Sequence, residues 1–320
     1  MGWNMGTAND VTRRILRKAT TPLSLLANNG KSDLDHWIDH RFPPSSIHQI
    51  TFRAADGCNL RCKTCHFSLD YRKGQKTILM DPQLVKDVVD KTKGFVNLCG
   101  FSGSGEPLIN PRIHEMIQYV TDSGIKSKIG TNTMLLTEDM SERLLKAGLS
   151  ILKVSIDGAT AETYETVRIG ASFEKLKRNL EFFWRLRNDM GAKTRIHVNT
   201  VITNDNQHEI DDVKKVFGHI ADQFAAKFPT TFGIMGNLCE YSPSEMTSKK
   251  CNQLVKRMTI VPDGRVSICC GDNQNNGIIG NVHENTAMEI WNSSLYNEWR
   301  GYHRSGQTKH IPLCSGCLRG

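Results

Sequence analysis

Three cysteines fall within eight residues, at Cys58, Cys62 and Cys65, directly after the apolar run Ile47 to Phe52. That run reads as a strand, and a loop leaving a strand can bring thiols spaced C-x3-C-x2-C to one metal centre. No fourth thiol stands at matching range. Iron–sulfur cubanes are ordinarily held by four thiolates, so a cubane gripped by three keeps one iron open to a small molecule. A structural zinc knuckle competes for the same spacing, with the adjacent His66 as its fourth ligand.

The chain carries ten cysteines in 320 residues. In a secreted protein they would suggest disulfides, and in a reducing compartment they suggest metal ligands. No stretch of about 18 consecutive apolar residues is present, which excludes a transmembrane helix reading. The basic N-terminal segment lacks the long apolar core and cleavage site of a signal peptide. The expectation is a cytoplasmic, membrane-free protein. Its formal charge of +8 is spread among interleaved acids and bases. Such a balance fits a solvated surface better than a nucleic-acid interface.

From residue 47 onward, short β-rich runs alternate with longer helical ones, the pattern of βα units on a parallel sheet. Six strands are predicted, at Ile47–Phe52, Phe95–Phe101, Lys126–Gly130, Leu152–Ile156, Arg195–Ile202 and Thr230–Met235. Helices are expected at 81–93, 110–123, 137–147, 160–190 (broken near Gly170) and 207–226, with Asp81-Pro82 and Asn110-Pro111 as capped starts. Six units cannot close an eight-stranded barrel, so the expected α/β fold is a partial, TIM-like (β/α)6 barrel with its site in the loops after the strands. Residues 1–46, with helical runs at Val11 to Leu26 and Asp33 to Arg41, form an N-terminal extension, either packed outside the barrel or used as a recognition arm. Residues 47–237 form the barrel. Residues 238–320 form a small C-terminal domain with a β-hairpin turning at Pro262-Asp263-Gly264, an Asn- and Gly-rich loop from Gly271 to Gly280 and a helical run from Thr286 to His303.

The thiol loop resembles the signature of the radical S-adenosylmethionine (SAM) enzymes, in which the open iron chelates the amino and carboxylate groups of SAM. Other segments match that family in order along the chain. Gly103-Ser104-Gly105-Glu106-Pro107, after the second strand, resembles the family's Gly-Gly-Glu segment, whose backbone contacts the methionine amino group. Thr131-Asn132 follows the third strand, and Ser155-Ile156-Asp157-Gly158, after the fourth, resembles the element that meets the ribose. Tyr164 and Arg168 follow at the family's spacing. The resemblance implies SAM contacts at Gly103, Ser104, Gly105, Glu106, Thr131, Asn132, Ser155, Asp157, Arg168 and Asn199. One departure stands out. The residue before the third cysteine is often aromatic in this family and here is Thr64, with Phe67 the nearest substitute.

A second set of thiols, Cys251, Cys269, Cys314 and Cys317, ends the chain in a Cys-x2-Cys pair. It resembles the twitch domain, the shortened SPASM extension, which implies an auxiliary [4Fe-4S] cluster. Val261-Pro262-Asp263-Gly264, Ile279-Gly280-Asn281-Val282 and Ile290-Trp291-Asn292 are typical of that extension. A structural zinc site is the alternative. Cys270 could stand in for Cys269 and Cys239 for Cys251, while Cys99 sits inside an apolar strand as a small core residue.

The resemblance therefore implies two [4Fe-4S] clusters, SAM, and a flavodoxin or ferredoxin-type reductant. It implies hydrogen abstraction by a 5'-deoxyadenosyl radical from a sugar-like small molecule or a peptide. The cluster layout is similar to that of twitch-domain dehydrogenases of the aminocyclitol 2-deoxy-scyllo-inosamine, making alcohol oxidation the first expectation. Epimerisation with Cys239 or Cys270 as hydrogen donor and peptide modification are the alternatives. A non-catalytic iron–sulfur or zinc module would have no need of the SAM elements. Arg195, His197 and Asn199 alternate along the fifth strand and so share one face. Arg195 and His197 are candidate catalytic residues if that face lines the barrel, with Glu240 and Tyr241 comparable candidates at the domain junction.

Overall fold

The computed structural model describes residues 46–68, 76–228, 251, 253–315 and 317. The two N-terminal helical runs, the strand expected at Thr230–Met235, and Cys239, Glu240 and Tyr241 lie outside them.

One sheet organises the molecule. Its strands are β1 (Ile47–Phe52), β2 (Val96–Phe101), β3 (Lys126–Thr131), β4 (Ile151–Ser155), β5 (Arg195–Val201), β6 (Gln223–Lys227), β7 (Arg257–Ile260), β8 (Arg265–Ser267) and β9 (Ile278–Asn281), in the order β6-β5-β4-β3-β2-β1-β7-β8-β9. The first six are parallel neighbours in chain order, with no closure between β6 and β1. This is the open, partial barrel. The far edge of β1 is taken by β7, also parallel, and β8 and β9 continue antiparallel. The C-terminal hairpin thus extends the barrel sheet itself.

Helices α1 (Pro82–Thr92), α2 (Ile113–Asp122), α3 (Glu138–Lys146), α4 (Ala161–Val167), α5 (Phe173–Asp189) and α6 (Ile210–Phe217) fall between the first six strands. Side-chain oxygens of Asp81, Thr137, Thr160 and Ser172 accept from first-turn amides and start α1, α3, α4 and α5. One strand face buries Ile50, Phe52, Cys99, Phe101, Ile129, Leu152, Val154, Ile196 and Val198, all in one cluster with helix residues such as Val85, Met116 and Leu180. The alternation of period two then turns Gln49, Thr51, Lys128, Lys153, Ser155, His197 and Asn199 to the opposite, lumenal face. Cys99 is indeed core.

Three expectations are corrected. Residues 223–226, the end of the stretch expected to be helical, instead belong to strand β6 (Gln223–Lys227), because α6 stops at Phe217. The Asp222 carboxylate accepts the Ile196 amide at 2.6 Å and pairs with Arg187 at 2.7 Å, fixing the start of β6 against β5. Ladder pairing here overrides an alanine-containing, helix-like pattern. Second, α2 begins later than expected, at Ile113. Asn110 still accepts the Arg112 amide on its Oδ1 at 3.0 Å and the Ile113 amide on its carbonyl at 3.2 Å, while its side-chain amide also donates to the carbonyls of Ala54 and Met80, each at 2.9 Å. Third, the Asn- and Gly-rich loop ends in strand β9, and the helical run after Thr286 divides into α8 (Ala287–Trp291) and α9 (Ser294–Arg304), following the short α7 (Gln253–Lys256). Ser293 caps α9, which breaks the run. The buried Arg300 holds this end together. Its guanidinium lies 4.2 Å from the Trp291 ring and 4.1 Å from that of Tyr296, and it donates to the carbonyls of Trp291 and Leu254.

Candidate active site

The thiol loop leaves β1 and is held from outside by α4. Arg61 and Lys63 donate their amides to the carbonyls of Ile169 and Val167, each at 2.9 Å, so the loop runs beside the end of that helix. A turn closed by Cys65 N–H to the Cys62 carbonyl at 3.2 Å brings the last two thiols together. Cys62 is buried, and Cys58 and Cys65 are half-buried. Burial pushes the Cys58 thiol up to about 12, with Glu106, Cys62 and Cys65 adding to the shift. Burial also raises Cys62 and Cys65, while the Arg168 guanidinium opposes it at both. The three thiols therefore share one desolvated space. Thiols so placed become thiolates only against a compensating metal charge.

Against this loop packs Gly103-Ser104-Gly105-Glu106. Gly103 and Gly105 hold φ of +119° and +94°, which suits residues without a side chain. A Cβ at Gly105 would lie 2.5 Å from the Gly57 carbonyl oxygen and 2.6 Å from that of Ala55, so the approach requires glycine. The Glu106 carboxylate is buried and turned into the protein. It accepts from the Leu108 amide at 3.1 Å, the Thr131 hydroxyl at 2.7 Å and the Asn132 amide at 2.8 Å. Glu106 and Thr131 thus lock the loops after β2 and β3 to each other. Asn132 donates to Asn59 Oδ1 at 2.9 Å, reaching into the thiol loop. Thr133 follows at φ +68°, a strained conformation for a threonine, braced by Asn179 on its carbonyl.

After β4, Asp157 is fully buried. Its Oδ1 accepts the Val201 amide at 2.7 Å, and its Oδ2 lies 2.7 Å from Arg168 Nη2. Burial opposes the charge on Arg168, but Asp157, Cys62 and Tyr164 outweigh it and hold the guanidinium above its usual value. Glu209 clamps the start of α4, accepting from the Ala159 and Thr160 amides and the hydroxyls of Thr160 and Thr163. That helix delivers Tyr164 and Arg168 to the site. Ser155 and Asn199 are register partners on β4 and β5, with side chains on the lumenal face.

Four buried polar atoms here make no hydrogen bond among the described residues: Ser104 Oγ, Tyr164 OH, Arg168 Nε and Asp157 Oδ2, the last only ion-paired. Tyr164, Arg168 and Asp157 face one another and Cys62. Such atoms cost about 1–3 kcal/mol each when left unmatched. Their concentration beside a three-thiol loop and a glycine cradle fits a polar ligand bridging them, as SAM on a cluster would.

His197 also lies on the lumenal face, half-buried, and its Nε2 is buried without a hydrogen-bond partner among the described residues. Burial, with Arg195 next, lowers its pKa and keeps it neutral. Arg195 itself is exposed at the start of β5. At an ordinary strand rise it sits about 13 Å below Asn199 and is not brought to the thiol loop. Phe67 is buried.

The second thiol set converges from three segments. Burial, then Cys251 and Cys317, push Cys314 up to about 12. Cys269 is raised by Cys270 first, then by burial and Cys251. Cys251, Cys269, Cys314 and Cys317 therefore face a common space, with Cys270 beside Cys269. Among the described residues no three such side chains close to the separation a single metal ion requires; a cubane spreads its thiols wider than one ion does. Sequence reading missed two residues here. His303 Nε2 lies 3.4 Å from Cys314 Sγ, and no spacing rule could have pointed to it from the end of a helix. Arg53, fully buried, donates to the Asp272 carbonyl at 2.8 Å and pairs with Asp56. A Cβ at Gly103 would touch Arg53 Cγ at 3.0 Å and meet the Cys270 carbonyl oxygen at 3.5 Å, so the two sites adjoin through Arg53.

Residues 53–216 match the radical SAM superfamily, and residues 251–318 match the iron–sulfur cluster-binding SPASM domain. The AdoMet-dependent heme synthase of Methanosarcina barkeri is 30% identical over 202 residues, 61% of this chain and 54% of that protein. The mycofactocin maturase MftC of Mycobacterium ulcerans is 30% identical over 183 residues, 57% of this chain and 46% of that one. The chain spans about half the length of these curated relatives. Among solved structures, Streptococcus suis SuiB bound to its precursor peptide SuiA aligns with a TM-score of 0.66 at 15% identity, over 85% of this chain and 71% of that one. BtrN in complex with AdoMet and 2-DOIA aligns with a TM-score of 0.59 at 19% identity, over 85% and 92%. These structural likenesses are of fold. No helix among the described residues is long and apolar enough to cross a membrane. The three-thiol loop, the glycine cradle and the order of the matching segments agree on one conclusion: this chain belongs to the radical SAM superfamily, whose cofactors are SAM and an iron–sulfur cluster, and it ends in a SPASM-type cluster domain.

Proposed function

We propose that this chain oxidises its substrate by two electrons, converting an alcohol to a ketone on a sugar or aminocyclitol. The observation that carries this reading is the second four-thiol set on the same sheet, joined to the first site by Arg53. When bound, the cofactors supply a 5'-deoxyadenosyl radical that takes one hydrogen atom from the substrate and a second cluster that accepts the remaining electron. The chain's own residues supply the rest. Cys58, Cys62 and Cys65 hold the first cluster, and Cys251, Cys269, Cys314 and Cys317 hold the second. Backbone groups of Gly103 to Glu106, with Ser155, Asp157, Arg168, Thr131, Asn132 and Asn199, surround SAM, Glu106 and Thr131 by bracing the loops. The neutral His197 Nε2, with no hydrogen-bond partner among the described residues, stands on the lumenal face to accept the alcohol proton. A flavodoxin or ferredoxin-type protein is the electron donor in this reading.

A second reading has its own observation. Cys270 faces both Cys269 and the lumenal Lys128, where a thiol could return a hydrogen atom to a substrate radical and so epimerise it. A third, peptide modification, is supported by the likeness to SuiB bound to a precursor peptide and the match to MftC. Deuterium tracing separates the outcomes. A product two hydrogens lighter supports oxidation, solvent deuterium at the reacting carbon supports epimerisation, and a mass change on a peptide supports the third.

A further inference from the structure

The last turn of α9 carries His303, whose Nε2 lies 3.4 Å from Cys314 Sγ. Three features hold the ring there. Arg300, one turn earlier on the same helix, is buried between the Trp291 and Tyr296 rings and donates to the Leu254 carbonyl, so α9 is tied to α7, directly after Cys251. The Tyr302 ring packs on that of His310 at 5.0 Å, which folds the chain back against the helix. Ile311, fully buried, then starts the thiol turn: the Cys314 and Ser315 amides donate to its carbonyl, and the Cys317 amide to that of Cys314. At Cys314 itself, Cys251, Cys317 and Asp272 each add to burial in raising the thiol. Asp272 is fixed in place by the Ser267 hydroxyl and the Asn276 and Gly277 amides. Groups of negative charge thus gather about a sulfur that becomes a thiolate when it holds iron. A thiolate has no proton to give, so in that state the bond between the two side chains runs one way, from His303 Nε2–H to sulfur.

We propose that His303 tunes the second cluster: its Nε2–H donates to the Cys314 thiolate and raises the cluster's reduction potential. A donor on a ligand sulfur draws electron density from the cluster and favours the reduced form, which carries one more negative charge. His303 acts through Cys314, as a positioning residue and not as a ligand. The inference rests on the reading of the four thiols as an electron-accepting cluster, and deepens it. In that oxidation the substrate radical left by hydrogen abstraction passes one electron to the oxidised cluster and its hydroxyl proton to a base, leaving a ketone and a cluster reduced by one electron. A higher potential favours this transfer, whereas a cluster that only braced the fold would gain nothing from the donor.

The test is a potentiometric titration of the full-length, anaerobically reconstituted protein, followed by electron paramagnetic resonance. SAM alters the signal of the first cluster, so the signal it leaves alone reports the second. His303→Phe is expected to disfavour reduction of the second cluster about tenfold, a midpoint lower by about 59 mV for one electron. His303→Gln keeps an N–H donor and is expected to stay closer to wild type than His303→Phe does. Unaltered iron content and an unmoved first midpoint show that the effect is local. A measurement on the wild type covers the case in which His303→Phe sheds its iron: with isotopically labelled histidine, the reduced second cluster should show the weak nitrogen coupling of a hydrogen-bonded ring. An unmoved midpoint in iron-replete His303→Phe, equal shifts in both variants, or a wild-type coupling that is absent or as strong as a direct ligand's overturns the proposal. A lowered midpoint together with a product that keeps both hydrogens leaves the hydrogen bond standing and counts against the oxidation reading.

Discussion

Arg53, the first residue beyond β1, donates from Nη1 to the carbonyl of Asp272 at 2.8 Å, across 219 residues of chain. The same guanidinium pairs with Asp56 ahead of the first thiol loop. Asp272 in turn gathers the loop after Cys269 and Cys270, accepting from the Ser267 hydroxyl at 2.7 Å and the Gly277 amide at 2.9 Å. One buried side chain therefore ties the two thiol sites together, beside the ladder of β1 and β7.

Replacing Arg53 by Met removes one partner of a buried ion pair and one acceptor's donor while preserving much of the volume. The fold should lose on the order of 3 kcal/mol, read as a lower denaturation midpoint. Product formation should fall more than SAM cleavage does, because the second site shifts relative to the first. Equal losses in both activities would show that Arg53 is only a fold element.

Tyr164 is buried with no hydrogen bond to its hydroxyl among the described residues. Tyr164→Phe should leave unfolding free energy measured without SAM within about 1 kcal/mol of wild type or slightly raise it. SAM affinity should drop several-fold. Unchanged SAM binding in the phenylalanine variant would remove Tyr164 from the ligand's surroundings.

At Glu209 burial pushes the carboxyl pKa up, but hydrogen bonds from Thr163, Ala159 and Thr160 outweigh it, and the net value is lowered. A carboxylate lowered on folding contributes stability that is present above its unfolded value near 4.5 and is lost as pH falls through the folded value. Glu209→Gln should cost about 1–2 kcal/mol at pH 7, and the gap to wild type should narrow below pH 4.5. Melting curves of the two proteins at matched pH read the difference; a gap independent of pH would mean that the clamp does not depend on charge.

Reconstituted wild type should hold about eight irons, four per cluster. Cys58→Ala with Cys62→Ala and Cys65→Ala should bring this to about four and abolish SAM cleavage. Cys314→Ala with Cys317→Ala should also leave about four while sparing cleavage. Iron assay and deoxyadenosine release check both; cleavage surviving without the first three thiols would sink the radical assignment.

Much of this was legible from local pattern. Alternating apolar residues marked β1 to β5 to within a residue or two, since a strand buried on one face repeats every second position. Closely spaced thiols and positive-φ glycines leave a local signature, because few residues besides glycine serve such turns. β6 was missed because residues 223–226 read as helix until β5 offers a ladder. The local bond from the Arg112 amide to Asn110 was legible, whereas the further bonds of Asn110 to Ala54 and Met80 were not, because those partners lie 56 and 30 residues away.

By itself the sequence determined the order of βα units, the two groups of thiols and the loop motifs between them, all encoded within a few residues of one another. Only the tertiary structure decided that β7 joins β1, that Arg53 spans the two thiol sites, and that Lys128, Lys153 and His197 share one wall. The physical reason is range. Periodicity and turn chemistry act between near neighbours, whereas strand order, buried ion pairs and the shared face of a lumen exist only once distant segments have been brought side by side.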